Sequence, residues 1–426
     1  MDSPDSDDEA AVLAALAGRG PATSVQLQAL LGRSQATLSR LLQALAPRLV
    51  ILGAGRRTRY AVPTPILGLP AQQPLYWVNE DAAIERWGSL TFVAGNRVHV
   101  QAPDIELLSH PGALPWFLSP LRGEGYLGRA LARRLAANGL ADSPERWPLE
   151  HVLFAALQTP DPPGAITLGE PTAVALPALD HDAQADALIG SVPGSSAGGE
   201  QAKFLARREH GQPVLVKFSP PRGTPFGERW HDLLHAEAMA LAVLQEVGVP
   251  VAVTRMVLTK RRTYLESARF DRTGAHGRRH AVPLHAVHEA FVPGDRQHWA
   301  ATCEALVRQH RLPPGTDVQV RALMQFGRLI GNTDMHFGNL SLHLAKADVA
   351  RGRFTLAPVY DMLPMRWRPD IHSGELGLLP FTPEPIDLQS PARAVAQVFW
   401  QRAADHGELG AEFRALARTM LSRIAQ

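Results

Sequence analysis

The chain has 426 residues, 45% of them apolar and 20% charged, with a formal net charge of +2. That is ordinary globular composition with room for two or three domains, and so small a net charge gives no global argument for a nucleic-acid partner. A single cysteine, Cys303, excludes internal disulfides and reads as buried filler in a helix. No apolar run approaches the roughly 20 residues of a membrane helix. The first stretch, MDSPDSDDEA, is acidic where a signal peptide starts basic, so a soluble, cytoplasmic protein without a membrane partner is expected.

Residues 1–9 read as a disordered acidic tail. EAAVLAALAGRG then reads as a short helix stopped by glycine, and TSVQLQALLG as a second that starts on a good N-cap and ends at Gly32. SQATLSRLLQAL starts on Ser34 and carries Leu38, Leu41, Leu42 and Leu45 on one face. RLVILGAGRRTRYAV reads as two strands around an arginine-rich turn. Three helices and a hairpin, over residues 10–62, make the winged helix-turn-helix order, in which the third helix enters the major groove and the wing touches backbone. Ser34, Gln35, Thr37 and Arg40 lie near the start or on the polar side of that helix; Arg56, Arg57 and Arg59 fall on the wing. From Ala10 to Asn79 there are seven arginines and no Asp or Glu, the footprint expected of a DNA binder. The plainer alternative is a winged helix used for protein docking. The proline-rich residues 63–74 read as a semi-extended linker.

From Leu75 to Val100, alternating apolar residues suggest strands, and LPWFLSPLRGEGYLGRALARRLAANGL a loop and a helix. Residues Gln158 to Pro177, rich in Pro, Gly and Thr, read as a surface connection. VPGSSAGGEQAKFLARR is a Gly/Ser loop whose amides can approach an anion. Gly194 to Gly198 also match a nucleophile-elbow pattern, but a proline-rich loop precedes it and no Asp/His pair stands out. Lys217 lies in the apolar β-type run Val214–Phe218 and needs a partner if it points inward. Glu237, on the following helix, can supply one; the alternative is an edge lysine and a solvated glutamate. His231 and His235 have metal-compatible spacing but read as helix-surface residues. RRTYLESARFDR reads as a strand that crosses into a polar connector, and the remainder from Pro283 is mostly helical by pattern.

In LIGNTDMHFGNLSL, Asp334 and Asn339 are five apart, and a second isolated carboxylate, Asp361, follows in LAPVYDMLP. The parts now form a series: glycine loop, strand lysine, helix glutamate, connector, Asp-x-x-x-x-Asn, lone Asp. That is the order used by protein kinases. Phosphate oxygens want amides and a cation, Mg²⁺ wants oxygen ligands such as Asn339 and Asp361, and a hydroxyl nucleophile wants a nearby carboxylate such as Asp334.

GNTDMHFGNLSL, LAPVYDMLP, ARFDR and GSSAGGEQAK together resemble the HipA family of bacterial serine/threonine kinases, toxins of toxin–antitoxin modules. With a winged helix-turn-helix in front, the arrangement resembles the YjjJ branch of that family. The resemblance implies an α+β chain in which a two-lobed kinase fold follows the head, with residues 75–265 as a β-rich N-terminal lobe and 266–426 as a helical C-terminal lobe. It implies ATP and Mg²⁺ as cofactors, Asp334 as catalytic base, Asn339 and Asp361 as metal ligands, Lys217 on phosphate and Glu237 as its partner. Gly198 and Gly199 would cradle phosphate, backbone from Glu266 to Phe270 would hold adenine, and His336 matches a position beside the catalytic loop. The family loop carries an autophosphorylated serine; Ser195 and Ser196 both fit. The family often has Glu directly before RFDR; here Ala268 stands there, so either Glu266 compensates or the adenine contacts differ. The partners implied are a protein substrate with a Ser or Thr acceptor, DNA, an antitoxin and a second copy of the chain. Two other functions compete: a DNA-binding transcription regulator whose kinase-like domain senses nucleotide, and a metal-dependent nuclease.

Overall fold

The computed structural model describes residues 4–171, 179–190, 201–369 and 380–425. Two compact units emerge, one drawn from Met1–Asn79, Ala83–Glu124 and Gly128–Val174, the other from Glu80–Ala82, Gly125–Leu127 and Ala175–Gln426.

The first unit opens with α1 (Pro4–Arg19), β1 (Ala22–Thr23), α2 (Ser24–Leu31), α3 (Gln35–Ala44), β2 (Val50–Leu52) and β3 (Arg59–Ala61). Helix α1 starts at Pro4, so residues 4–9 of the acidic stretch are helical rather than a loose tail. A capping box of Thr23 and Gln26 starts α2, left-handed Gly32 ends it, and Ser34 Oγ caps α3 by accepting the Thr37 amide at 3.2 Å. The leucine face of α3 is buried as its spacing predicts: Leu38, Leu41, Leu42 and Leu45 pack with Val12, Leu16, Leu27 and Leu49. The three short strands form an antiparallel sheet in the order β1-β3-β2.

The proline-rich stretch after this head is not a free spacer. Pro63 bridges Val93, the Thr64 amide donates to Phe92 O and Ile66 is fully buried. A small core of Leu52, Ala61 and Val93 joins the head to the next sheet. That sheet has the order β7-β6-β5-β4-β8, from β4 (Gln72–Val78), β5 (Ile84–Val93), β6 (Arg97–Ala102), β7 (Ile105–Leu108) and β8 (Ile166–Leu168). Between β7 and β8 lie α4 (Gly125–Arg134) and α5 (Leu149–Leu157). Strand β8 is buried throughout although it falls in the presumed surface connection; three residues between proline- and glycine-rich flanks are too few to show a period.

The second unit begins with α6 (His181–Gly190) against a four-stranded antiparallel sheet in the order β11-β12-β10-β9. Its elements are β9 (Lys203–Arg207), β10 (Pro213–Phe218), α7 (Pro225–Glu246), β11 (Thr254–Leu258) and β12 (Thr263–Ala268). Ala185 of α6 joins Phe204, Ala206, Val214, Val216, Phe218 and Tyr264 in a core on one face; α7 covers the other. Two short strands follow, β13 (Arg272–Thr273) and β14 (Gly277–Arg278), then β15 (His280–Pro283), α8 (Leu284–Phe291), α9 (Trp299–Arg308) and α10 (Thr316–Ile330). Strands β16 (Ser341–Leu344) and β17 (Thr355–Leu356) complete a three-stranded sheet with β15, and α11 (Pro385–Leu388), α12 (Ala392–Asp405) and α13 (Ala411–Ala425) close the chain. The helical reading after Pro283 holds for α8, α9, α10, α12 and α13, with β16 and β17 as the unforeseen insertion. Cys303 is fully buried in α9, and burial pushes its thiol up to about 12. Among the described residues no helix is long and apolar enough to cross a membrane.

Candidate active site

Lys217 sits next to the end of β10. Directly opposed residues in an antiparallel pair share a face, so Lys217, Leu265 and Lys203 line the face covered by α7. The Lys217 ammonium donates to both Glu237 oxygens of α7, at 2.6 and 2.7 Å, and to Asp361 Oδ1. Lys217 and Glu237 are 4% and 2% exposed, so neither is the edge lysine or solvated glutamate of the plainer alternative. Burial works against the Lys217 charge, but Asp361 and Glu237 hold it above its ordinary range. Burial likewise pushes the Glu237 carboxyl up. It acts the same way on Asp361, yet Lys217 and Lys203 outweigh it and bring that carboxyl down to about 2. Asp361 has φ +53°, left-handed backbone that is uncommon outside glycine.

Asp334 and Asn339 lie in the loop between α10 and β16. Left-handed Gly331, φ +79°, stops α10 and turns the chain into this loop. Asn339 Nδ2 donates to the Asp334 carbonyl at 2.8 Å. Only the nitrogen of the amide can make that bond, so Asn339 Oδ1 is left as an acceptor. Asn332, 4% exposed, accepts the Asp334 amide proton on Oδ1 at 2.9 Å and donates from Nδ2 to the Asp361 carbonyl at 3.3 Å. His336 caps its own turn, Nδ1 accepting from the Gly338 amide at 3.0 Å, and its Nε2 lies 3.9 Å from Asp334 Oδ1. Tyr360 donates to the Gly338 carbonyl at 2.7 Å and stacks on Phe270 of the connector, centroids 5.2 Å apart.

The loop carrying Asp334 and Asn339 is thus stitched to the chain carrying Asp361, which meets Lys217 and Glu237. Glu266 is not brought to them. It opposes Val216, on the far face of the sheet, and is fully buried against Arg208, Arg255 and His181. Burial pushes its carboxyl up, but hydrogen bonds from those three partners hold it below the usual range. Its side chain therefore faces away from Lys217, on the same side of the sheet as Ala268, which opposes Val214. His231 and His235 are not surface residues: they are 1% and 6% exposed, and His231 bonds to Thr263 Oγ1 and the Glu408 carbonyl. Ser195, Ser196, Gly198 and Gly199 lie outside the described residues, as does the Arg56 side chain.

On the head, Gln35, Arg40, Arg57 and Arg59 are exposed. The hydroxyls of Ser34 and Thr37 are 2.9 Å apart and serve the α3 cap. Sequence reasoning missed Asn332, Lys203 and Tyr360. A lysine on each of two paired strands after a glycine loop was a readable hint for Lys203; nothing in the pattern marks which way Asn332 points.

The fold and this arrangement define a mixed α+β chain. Residues 195–426 match the HipA-like C-terminal domain and residues 69–176 the YjjJ-like toxin middle domain. The chain is 35% identical to toxin YjjJ of Escherichia coli (strain K12) over 440 residues, 96% of each chain. It superposes with a TM-score of 0.56 and 17% identity on HipA from a Shewanella oneidensis MR-1 structure of HipA, HipB and operator DNA, covering 83% of this chain and 96% of that one. The chain belongs to the HipA-like toxin family, in its YjjJ-type branch.

Proposed function

We propose that this HipA-like toxin is a Mg²⁺- and ATP-dependent protein kinase acting on Ser or Thr, with an N-terminal winged helix-turn-helix that binds DNA. The observation that carries the reading is the shared position of Lys217 between Glu237 and Asp361, beside the loop of Asp334 and Asn339. In phosphoryl transfer there is little covalent work for the protein; positioning and charge do most of it.

The residues suit ATP and Mg²⁺. Two lysines share one face for phosphate oxygens. Asp361 stays ionised down to about pH 2 and Asn339 keeps its amide oxygen as acceptor, the hard donors that Mg²⁺ takes alongside phosphate and water. Bound Mg²⁺ would neutralise charge on the transferring phosphoryl group. Lys217 would hold phosphate, Glu237 would keep its ammonium in place, and Asp334 would orient the acceptor hydroxyl and take its proton. Phe270 and neighbouring connector backbone would flank adenine. Ser195 or Ser196 would be the autophosphorylated serine. In this reading residues 75–265 contain the N-terminal lobe and 266–426 the C-terminal lobe.

For the head, the element order α1-β1-α2-α3-β2-β3 supports a winged helix over residues 10–62, with Gln35 and Arg40 towards bases and Arg57 and Arg59 towards phosphates. An antitoxin is the protein partner this family suggests, and a winged helix often pairs with a second copy of its chain. A two-metal nuclease fits less well: the buried pair of Lys217 and Glu237 is unneeded in that chemistry.

The test is incubation of the full chain with Mg²⁺ and radiolabelled ATP beside D334A and D361A, with phosphosites mapped by mass spectrometry. Label on Ser195 or Ser196 that both variants lose supports the kinase. Bound ATP without transfer shifts the assignment to a nucleotide-sensing DNA regulator, and plasmid cleavage becomes the next assay.

A further inference from the structure

We infer that Asn332 is a positioning residue that sets Asp334 and Asp361 relative to one another. The inference rests on the kinase reading for its catalytic meaning, not for its geometry.

The Asn332 amide nitrogen donates to Gly327 O at 2.8 Å, which ties its own backbone to the end of α10. Its side chain then faces inward and is divided between two loops. Oδ1 accepts the backbone N–H of Asp334, while Nδ2 donates to the backbone carbonyl of Asp361 and reaches the Met362 sulfur at 3.6 Å. Both bonds therefore fall on the main chain of the carboxylate-bearing residues themselves. The orientation is fixed by chemistry, since an N–H needs an acceptor and a carbonyl needs a donor. Aspartate at this position offers the acceptor but no donor. Alanine offers neither, and glutamine places the same amide one methylene too far out.

The bridge has a second task. Asp361 is held at φ +53°, a conformation that is strained for a side-chain-bearing residue and persists only when its surroundings impose it. The Asn332 bond to the Asp361 carbonyl is one such constraint, and the Lys217 bond to its carboxylate is another. A displacement of about 1 Å between groups that must act together can cost roughly 100-fold in rate. One buried amide with a hand on each residue guards against that displacement.

The experiment compares wild type, N332A and N332D as full chains. Hydrogen exchange at the Asp334 amide, in the ligand-free protein, reads the first bond directly. The expected result is exchange faster by about tenfold in N332A, as for loss of one net hydrogen bond, and near wild type in N332D, which keeps the acceptor. In phosphoryl transfer, kcat should fall roughly 10–100-fold in N332A with the KM for ATP within about threefold. N332D should need more Mg²⁺ for its half-maximal rate, because only its Asp361 bond is lost. Unchanged Asp334 exchange in N332A, or transfer at the wild-type rate where D334A has none, overturns the inference. If N332A does not fold, N332D alone decides through its Mg²⁺ requirement. Wild type that transfers no phosphate removes the kinase reading, and the exchange comparison still judges the bridge.

Discussion

Lys217 on β10 and Glu237 on α7 form an ion pair in which one ammonium meets both carboxylate oxygens, at 2.6 and 2.7 Å. The pair pins α7 to the sheet, and Asp361 shares the same ammonium. Removing the lysine leaves two carboxylates without their cation, and breaking a buried pair costs about 3–5 kcal/mol. Lys217→Met should therefore lower the thermal unfolding midpoint and abolish nucleotide-dependent stabilisation. Glu237→Gln keeps a polar partner and should lose less. Thermal unfolding with and without Mg²⁺-ATP checks both; a K217M chain still stabilised by nucleotide as wild type is would contradict the assignment of Lys217 to phosphate.

Acid sensitivity should start away from this site. His235 is buried beside His231 and His406, and burial, with those neighbours and Arg222, brings its imidazole down to about 3. Between its ordinary pKa of about 6.5 and that value the unfolded chain binds a proton that the folded chain refuses, so stability falls as pH drops, by at most about 1.4 kcal/mol per unit. Asp361 has the same sign in a lower window. Its carboxyl is depressed, so its contribution is complete above the unfolded value near 4 and is lost as pH falls towards about 2. Glu237, pushed up by burial, works in the opposite direction. His235→Phe should thus flatten the loss of stability between pH 6.5 and roughly 5. Urea denaturation at several pH values reads the slope, and an unchanged slope would assign the acid loss to other groups.

Much of this was legible in the sequence, and what was hidden has a common cause. The leucines of α3 and the inward pairing of Lys217 with Glu237 follow from local period and from the cost of a buried charge. The face that the Glu266 side chain takes was hidden because neighbouring positions of a strand look the same in sequence; register alone places it opposite Val216 rather than Lys217. The two histidines of α7 look like surface residues until the turn at residues 406–410, some 170 residues later, covers them. Strand β8 and the packed proline stretch are non-local in the same way: each is defined by a neighbour far along the chain.

Glu266 gives a prediction that separates structure from ligand binding. It is fully buried and bonds to two guanidinium groups and an imidazole, so Glu266→Ala leaves Arg208, Arg255 and His181 without their shared carboxylate. A loss of about 3–5 kcal/mol is expected. Because its side chain lies across the sheet from Lys217, ATP affinity of the folded fraction should stay near wild type. Isothermal titration at low temperature, beside a denaturation curve, makes the comparison. A large affinity loss with unchanged stability would put the side chain in the nucleotide site after all.

The head separates in a similar way. Ser34 Oγ caps α3, so Ser34→Ala should cost about 1 kcal/mol of stability whether or not DNA is present. Arg40, Arg57 and Arg59 are exposed. Arg57→Ala and Arg59→Ala should leave stability within about 0.5 kcal/mol and weaken DNA binding across sequences, each lowering the salt slope by roughly 1. Arg40→Ala, on the exposed side of α3, should instead alter which sequences are preferred. Fluorescence anisotropy with random-sequence duplex over a salt series reads the slope, and selection from a duplex library reads the preference. Equal salt slopes for wild type and both wing variants would remove the wing from the DNA contact and favour a head that docks protein.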